Sequence, residues 1–186
     1  MEDGMPGRRL HAALTVRVAG GFSLIELLVT MAVLAIIATM AMPSLMGLVN
    51  SNRLAAQSNE LVASLQTARM EAIRRNASVN FCRSENGTAC SDLTTGSWSG
   101  WLVVLASDGE ILRAGTTKPP LQISSADSTL SFRPDGLARD SSGQLVATSF
   151  VVCIAKNEPA ENRRAVAVAS GSRISTRAIA GGGTCP

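Results

Sequence analysis

From Phe22 to Met42 the chain is apolar apart from Ser23, Thr30, Thr39 and Glu26, and Glu26 is the only ionisable side chain in the run. At ~1.5 Å per helical residue the run reaches ~32 Å, enough to cross a hydrocarbon core of ~30 Å, so residues 22–42 are expected to be a transmembrane helix. Beyond it, apolar or small residues recur at Leu54, Ser58, Leu61, Leu65, Ala68 and Ala72, alternately four and three apart. That is one helix face, and it predicts a helical stem over 43–76, ending near Arg75. Pro43 lacks the amide a helix needs and Gly47 lowers helix propensity, which predicts a kink or local loosening between Met42 and Gly47.

From Ala77 the period becomes strand-like. Short apolar stretches at Val79–Phe81, Trp101–Ala106, Ile111–Ala114, Leu121–Ser124, Thr129–Arg133, Leu145–Ala155, Ala165–Ala169 and Arg173–Ile179 are separated by turn formers. Among these, Asp108-Gly109 is a strong hairpin signal. Pro134-Asp135-Gly136, Ser142-Gly143 and Gly171 mark further turns. The predicted fold class is α+β: a long amino-terminal helix, membrane span plus stem, packed on an antiparallel β-sheet domain at 77–186.

Three arginines, Arg8, Arg9 and Arg17, precede the apolar run, and none follows within ten residues. This asymmetry predicts a cytoplasmic leader over 1–21 and an exported carboxyl side. A secretory signal peptide would have a shorter apolar region followed by small residues, whereas here Gly20-Gly21 come before it. An ordinary signal anchor gives no account of Glu26, since a carboxylate in the bilayer costs on the order of 2 to 3 kcal/mol. If the chain were cut after Gly21, the new ammonium of Phe22 would lie one helical turn from that carboxylate, which could neutralise it there or on a neighbouring subunit.

Gly21-Phe22-Ser23-Leu24-Ile25-Glu26 resembles the prepilin peptidase site shared by type IV pilins and type II secretion pseudopilins. The resemblance implies cleavage between Gly21 and Phe22, N-methylation of Phe22, and a role for Glu26 in docking each subunit into a filament. Pro43 matches a proline common in the family at the end of the apolar stretch. Implied partners are the prepilin peptidase, other minor and major pilins or pseudopilins, the inner-membrane assembly platform and membrane lipid.

Cysteine usage agrees with export, because Cys82, Cys90, Cys153 and Cys185 all fall on the exported side, where disulfides persist. Four cysteines allow three pairings. Cys82 with Cys90 is favoured because it closes a loop rich in turn formers, and Cys153 with Cys185 because it pins the terminal segment. The alternative, a zinc site, has poor ligand spacing, so no metal or cofactor is expected. The chain's net charge of +3 falls to about +2 without the leader, which is no strong electrostatic signature for nucleic acid. Its single histidine, His11, lies in the leader, leaving the processed chain no histidine for a triad or general base. Asp108, Asp135 and Asp140 sit beside glycine or serine, as turn residues do. No catalytic residue is expected.

The layout of leader, helical stem, cysteine loop and meandering strands with a late cysteine pair is similar to the GspH/FimT family of minor pilins and pseudopilins. Within the domain the resemblance rests on the Phe132–Gly136 turn, the strand around Cys153 and the Ser170-Gly171 turn. It implies a subunit that primes or caps a type IV pilus or a type II secretion pseudopilus, two machines that share leader, peptidase and stem. It also carries a rival: some relatives bind DNA during transformation through arginines near the carboxyl end. Here Arg163, Arg164, Arg173 and Arg177, with Lys156, outnumber Glu158 and Glu161, and phosphate contacts from them would be salt dependent. The family pattern has an arginine directly after the late glycine, whereas this chain reads Gly171-Ser172-Arg173, and no aromatic follows Phe150 to stack on a base.

Overall fold

The computed structural model describes residues 21–140 and 142–186, with the side chains of 40–44 outside that description. The leader through Gly20, with Arg8, Arg9, His11 and Arg17, and the side chain of Pro43 therefore lie outside the described residues. Among the described residues one helix, α1 (Leu24–Arg75), is followed by nine strands. It runs without interruption through residues 42–47, so the weak point expected at Pro43 and Gly47 does not break it. Among the described residues, no helix is long and apolar enough to cross a membrane. The helical part of the apolar run whose side chains are described, Leu24–Thr39, covers only ~24 Å at ~1.5 Å per residue.

The chain divides into two units at Thr39/Met40. In the first, every residue from Gly21 to Thr39 is exposed. The only polar groups there besides Ser23 and Glu26 are the hydroxyls of Thr30 and Thr39, which donate to the carbonyls of Leu27 (2.9 Å) and Ile36 (2.8 Å) and so leave the helix surface apolar.

In the second unit the residues of the predicted helix face, Leu54, Ser58, Leu61, Leu65, Ala68 and Ala72, are all fully buried. The helix stops at Arg75 because Asn76 turns left-handed (φ 49°) and the Ala77 amide reaches back to the Ala72 carbonyl at 3.2 Å, an arrangement that satisfies the last carbonyls. Strands β1 (Val79–Ser84), β2 (Gly100–Leu105), β3 (Ile111–Thr116), β4 (Leu121–Ser125), β5 (Thr129–Phe132), β6 (Ala138–Arg139), β7 (Thr148–Ile154), β8 (Arg163–Val168) and β9 (Ile174–Ile179) form two antiparallel sheets, ordered β3-β2-β1-β5-β6 and β4-β7-β8-β9.

Both sheets and the helix bury one shared core. Phe81 of β1 and Phe150 of β7 meet edge to face at 5.2 Å, with Trp98 against both at 6.0 and 5.5 Å. Trp98 belongs to no strand; its amide donates to the Ile123 carbonyl of β4 at 2.8 Å, which seats the ring between the sheets. Aromatics are scarce in this chain, yet all but Phe22 are buried here.

The strands depart from the sequence reading most around residues 138–147. The stretch Leu145–Ala147 is not part of β7, because the Asp140 carboxylate accepts the amides of Ser142 (2.8 Å) and Gln144 (2.9 Å) and folds a turn. That turn sends Leu145 into a bridge with Arg139 and the Val146 amide to the Ala138 carbonyl. The partner in this exchange, β6, is two residues long and too short to show a period in the sequence.

The helix is also fixed to the sheets by polar clamps. Gln57, 2% exposed, donates to the Thr116 carbonyl (3.2 Å) and accepts the Lys118 amide (3.1 Å). Asn50 donates to the Glu158 carbonyl (2.8 Å), and Arg69 to the Ser172 carbonyl (3.1 Å). At the helix end Glu71 accepts from Arg74 and Arg75, and Arg75 bridges onward to Glu110 of the β2–β3 hairpin at 2.6 Å. These charges thus tie helix to hairpin.

Candidate functional site

The helix begins where its sequence can cap it. The Ser23 hydroxyl accepts the Glu26 amide at 3.2 Å, and the Ser23 carbonyl accepts the amides of Glu26 and Leu27 at 3.1 and 3.2 Å. Ser23 is therefore the N-cap, and Ser23-Leu24-Ile25-Glu26 has capping-box spacing, a local signal the sequence reading left unused. Gly21 and Phe22 precede the helix as irregular backbone. Phe22 is 82% exposed, and the space where Gly21 would carry a Cβ is open. The Gly21–Phe22 peptide is thus unpacked, while Glu26 stands in the first helical turn, where the helix dipole favours a negative charge.

The four cysteines are joined as Cys82–Cys90 and Cys153–Cys185, the pairs favoured from sequence. The first bond closes the loop over 82–90, and Arg83 within it organises the segment 93–97 that follows. Its guanidinium, 5% exposed, pairs with Glu85 and donates to the carbonyls of Leu93 (3.3 Å), Thr95 (2.7 Å), Gly96 (3.3 Å) and Ser97 (3.0 Å). Ser99 donates to the other Glu85 oxygen, and these two partners, Ser99 first, hold that carboxyl below its ordinary range. No sequence signal marked Arg83 as buried.

The second bond anchors a tail that engages one of the predicted DNA-binding residues, Arg163. Arg163 donates to the Thr184 carbonyl (2.9 Å) and Gly181 carbonyl (3.3 Å), while Asn162 beside it donates to the Ile154 carbonyl (2.8 Å). Arg164 points to the opposite face of the sheet, donating to the Glu161 carbonyl (2.9 Å) and the Ser51 hydroxyl (3.3 Å) of the helix. The structure therefore separates Arg163 from Arg164 and spends both on internal bonds. Arg173 and Arg177 are exposed, and among the described residues their side chains make no hydrogen bond or ion pair. Among the described residues no group of three or more His, Cys, Asp or Glu side chains could hold a metal ion.

A capped apolar helix leading into a disulfide-closed, two-sheet domain is the architecture of a pilin-like subunit. Residues 57–172 match the profile of the family described as Type II transport protein GspH, and residues 17–42 match the prokaryotic N-terminal methylation motif. The first match covers well over half of the 186 residues, and the chain belongs to the GspH family. Two crystal structures of the Pseudomonas aeruginosa type IV minor pilin FimU share the fold. One, in space group P65, has a TM-score of 0.51 at 20% identity, over 67% of this chain and 92% of that one. The other, in space group P21, has a TM-score of 0.52 at 21% identity, over 68% and 90%. No curated protein matches the chain. Family and fold are those of structural pilins.

Proposed function

We propose that the chain is a minor pilin or pseudopilin that primes or caps assembly of a type IV pilus or a type II secretion pseudopilus. The observation that carries this reading is Glu26: one carboxylate in the first turn of a helix whose surface is otherwise apolar through Thr39, four residues after an unpacked Gly21–Phe22 bond. In this reading residues 1–21 are a cytoplasmic leader removed by the prepilin peptidase. Residues 22–42 then span the inner membrane, 43–76 form the periplasmic stem and 77–186 the periplasmic domain. Cleavage gives Phe22 a free amine, which is methylated, and Glu26 draws the subunit onto the amine of its neighbour, because an unpaired carboxylate is costly in hydrocarbon. Pro43 marks the end of the membrane segment. The partners are other pilins or pseudopilins and the inner-membrane platform, and the chain performs no catalysis of its own.

Glu26→Ala should leave the protein in the membrane but remove it from sheared filaments, as read by immunoblot of both fractions. Normal incorporation of that variant overturns the assembly role. Deleting the gene and counting surface pili tests the machine: loss restored by complementation assigns it to the pilus, and undiminished pili leave the secretion apparatus or DNA capture, which secretion and transformation assays then divide.

DNA capture is the rival. It draws on Arg173 and Arg177, since Arg163 and Arg164 are bonded to the tail and the helix. With only Arg173, Arg177 and Lys156 of that cluster free of side-chain bonds among the described residues, and no neighbouring aromatic, it ranks below the structural role. A band shift at low salt, lost on neutralising both residues, would promote it.

A further inference from the structure

The second sheet ends on β9, and among the described residues no strand lies beside its outer edge. The phase of the β8–β9 ladder follows from one bond, the Ala169 amide to the Arg173 carbonyl at 3.0 Å. Bonded and non-bonded pairs alternate along an antiparallel ladder, so with the register Ala167↔Ser175 and Ala165↔Arg177 the odd-numbered residues of β9 turn their amides and carbonyls to β8. Ile174, Thr176 and Ala178 turn theirs outward. Their side chains lie on the core face, where Ile174 packs against the buried cluster, and Arg173, Ser175 and Arg177 project from the opposite face.

The other sheet edges are closed or broken. The Ile123 carbonyl of β4 is taken by Trp98, the Thr116 carbonyl of β3 by Gln57, β3 carries a register shift opposite Val103/Val104, and β6 has only two residues. β9 offers six regular residues with no proline and no bulge, although exposed edges are normally blocked by such devices. Its one protective feature is charge: Arg177, with Arg173 four residues before it on the same face. A second copy paired on this edge would bring the arginines of both chains onto one face, which disfavours self-pairing.

We propose that β9 is a docking edge that accepts an extended segment of a different protein subunit as an added strand, and that the segment carries carboxylates four residues apart facing Arg173 and Arg177. The backbone groups of Ile174, Thr176 and Ala178 supply the ladder, and the arginines select the partner by charge. Only the source of the strand, a neighbour in the assembly, rests on the function proposed above.

The test uses the full chain in detergent and a fluorescent seven-residue peptide of alternating valine and threonine with glutamate at its second and sixth positions. Fluorescence anisotropy should show binding. A lysine version of the peptide, or Arg173→Glu with Arg177→Glu, should weaken it about tenfold, since each cross-strand charge pair contributes up to ~1 kcal/mol. Thr176→Pro removes an outward amide without touching the β8 ladder and should abolish binding while leaving the circular dichroism unchanged. Methylating alternate peptide amides reads the same bonds with the protein unaltered, should that variant misfold. No binding, or binding indifferent to both changes, overturns the proposal. So does a DNA duplex that binds through the arginines and is insensitive to Thr176→Pro, which would assign them to nucleic acid. Loss of the peptide result with Glu26→Ala still blocking incorporation removes the docking edge alone.

Discussion

The hydroxyl of Ser172 accepts the Ala138 amide at 2.6 Å, and Ser172 is a buried non-glycine residue at φ 56°. This turn position favours glycine, because a Cβ there costs ~1 kcal/mol or more. Serine holds it because its side chain satisfies the amide of β6 while its carbonyl receives Arg69 of the helix at 3.1 Å. Ser172→Ala keeps the backbone cost and orphans a buried amide, so it should destabilise by about 1–3 kcal/mol. Ser172→Gly relieves the backbone and should lose about 1 kcal/mol less. Urea unfolding of both variants checks the order, and equal losses would contradict this account.

Acid should loosen the junction between helix and hairpin. Hydrogen bonds from Arg74 and then Arg75 hold the Glu71 carboxyl at about 2, below its ordinary 4.5. A depressed carboxyl stabilises the fold above its unfolded value and loses that contribution as pH falls toward the folded one. The melting temperature should therefore decline between about pH 4.5 and pH 2. Glu71→Gln should flatten that part of the curve, and a curve of unchanged slope would show that other carboxylates dominate.

The two disulfides should differ in weight. Cys153–Cys185 spans 32 residues and Cys82–Cys90 spans 8, so loop-closure entropy assigns them roughly 3.5 and 2.5 kcal/mol. Serine replacement of Cys153 and Cys185 should cost more in denaturant midpoint than replacement of Cys82 and Cys90. It should also open the tail beyond Gly181 to proteolysis.

Arg83 should be harder to replace than any surface arginine. Arg83→Met removes every donor serving the carbonyls of Leu93, Thr95, Gly96 and Ser97, and leaves Glu85 with Ser99 alone. A loss on the order of 3 kcal/mol is expected for breaking a buried ionic cluster on one side. Limited proteolysis should cut first within 91–97. Arg83→Lys should rescue little, because a single ammonium cannot reach four spread carbonyls.

What the sequence made legible was whatever repeats or closes locally. The helix face from Leu54 to Ala72, the end near Arg75, the Asp108-Gly109 hairpin and the cysteine loops all carry short-range signals. The division of the strands into two sheets does not, because β1 pairs with β5 and β4 with β7 across intervening strands. Nor do the clamps: Gln57, Arg69 and Arg83 look like ordinary surface residues until the chain returns a carbonyl to each. At the candidate site the Gly21–Glu26 motif was plain, whereas the engagement of Arg163 by the tail depends on contacts with Thr184 and Gly181 that no spacing announces.

The side chains of Asn50, Gln57 and Arg69 are spread over ~28 Å of helix at ~1.5 Å per residue, and each grips backbone of a strand or of a loop between strands. A tug along the helix axis would stretch these grips side by side together with the apolar face between them, rather than peeling them open in turn. Rupture would then demand that the whole row let go at once. The same row that orients the helix thus makes it a shear-loaded anchor, suited to a part that is pulled from one end.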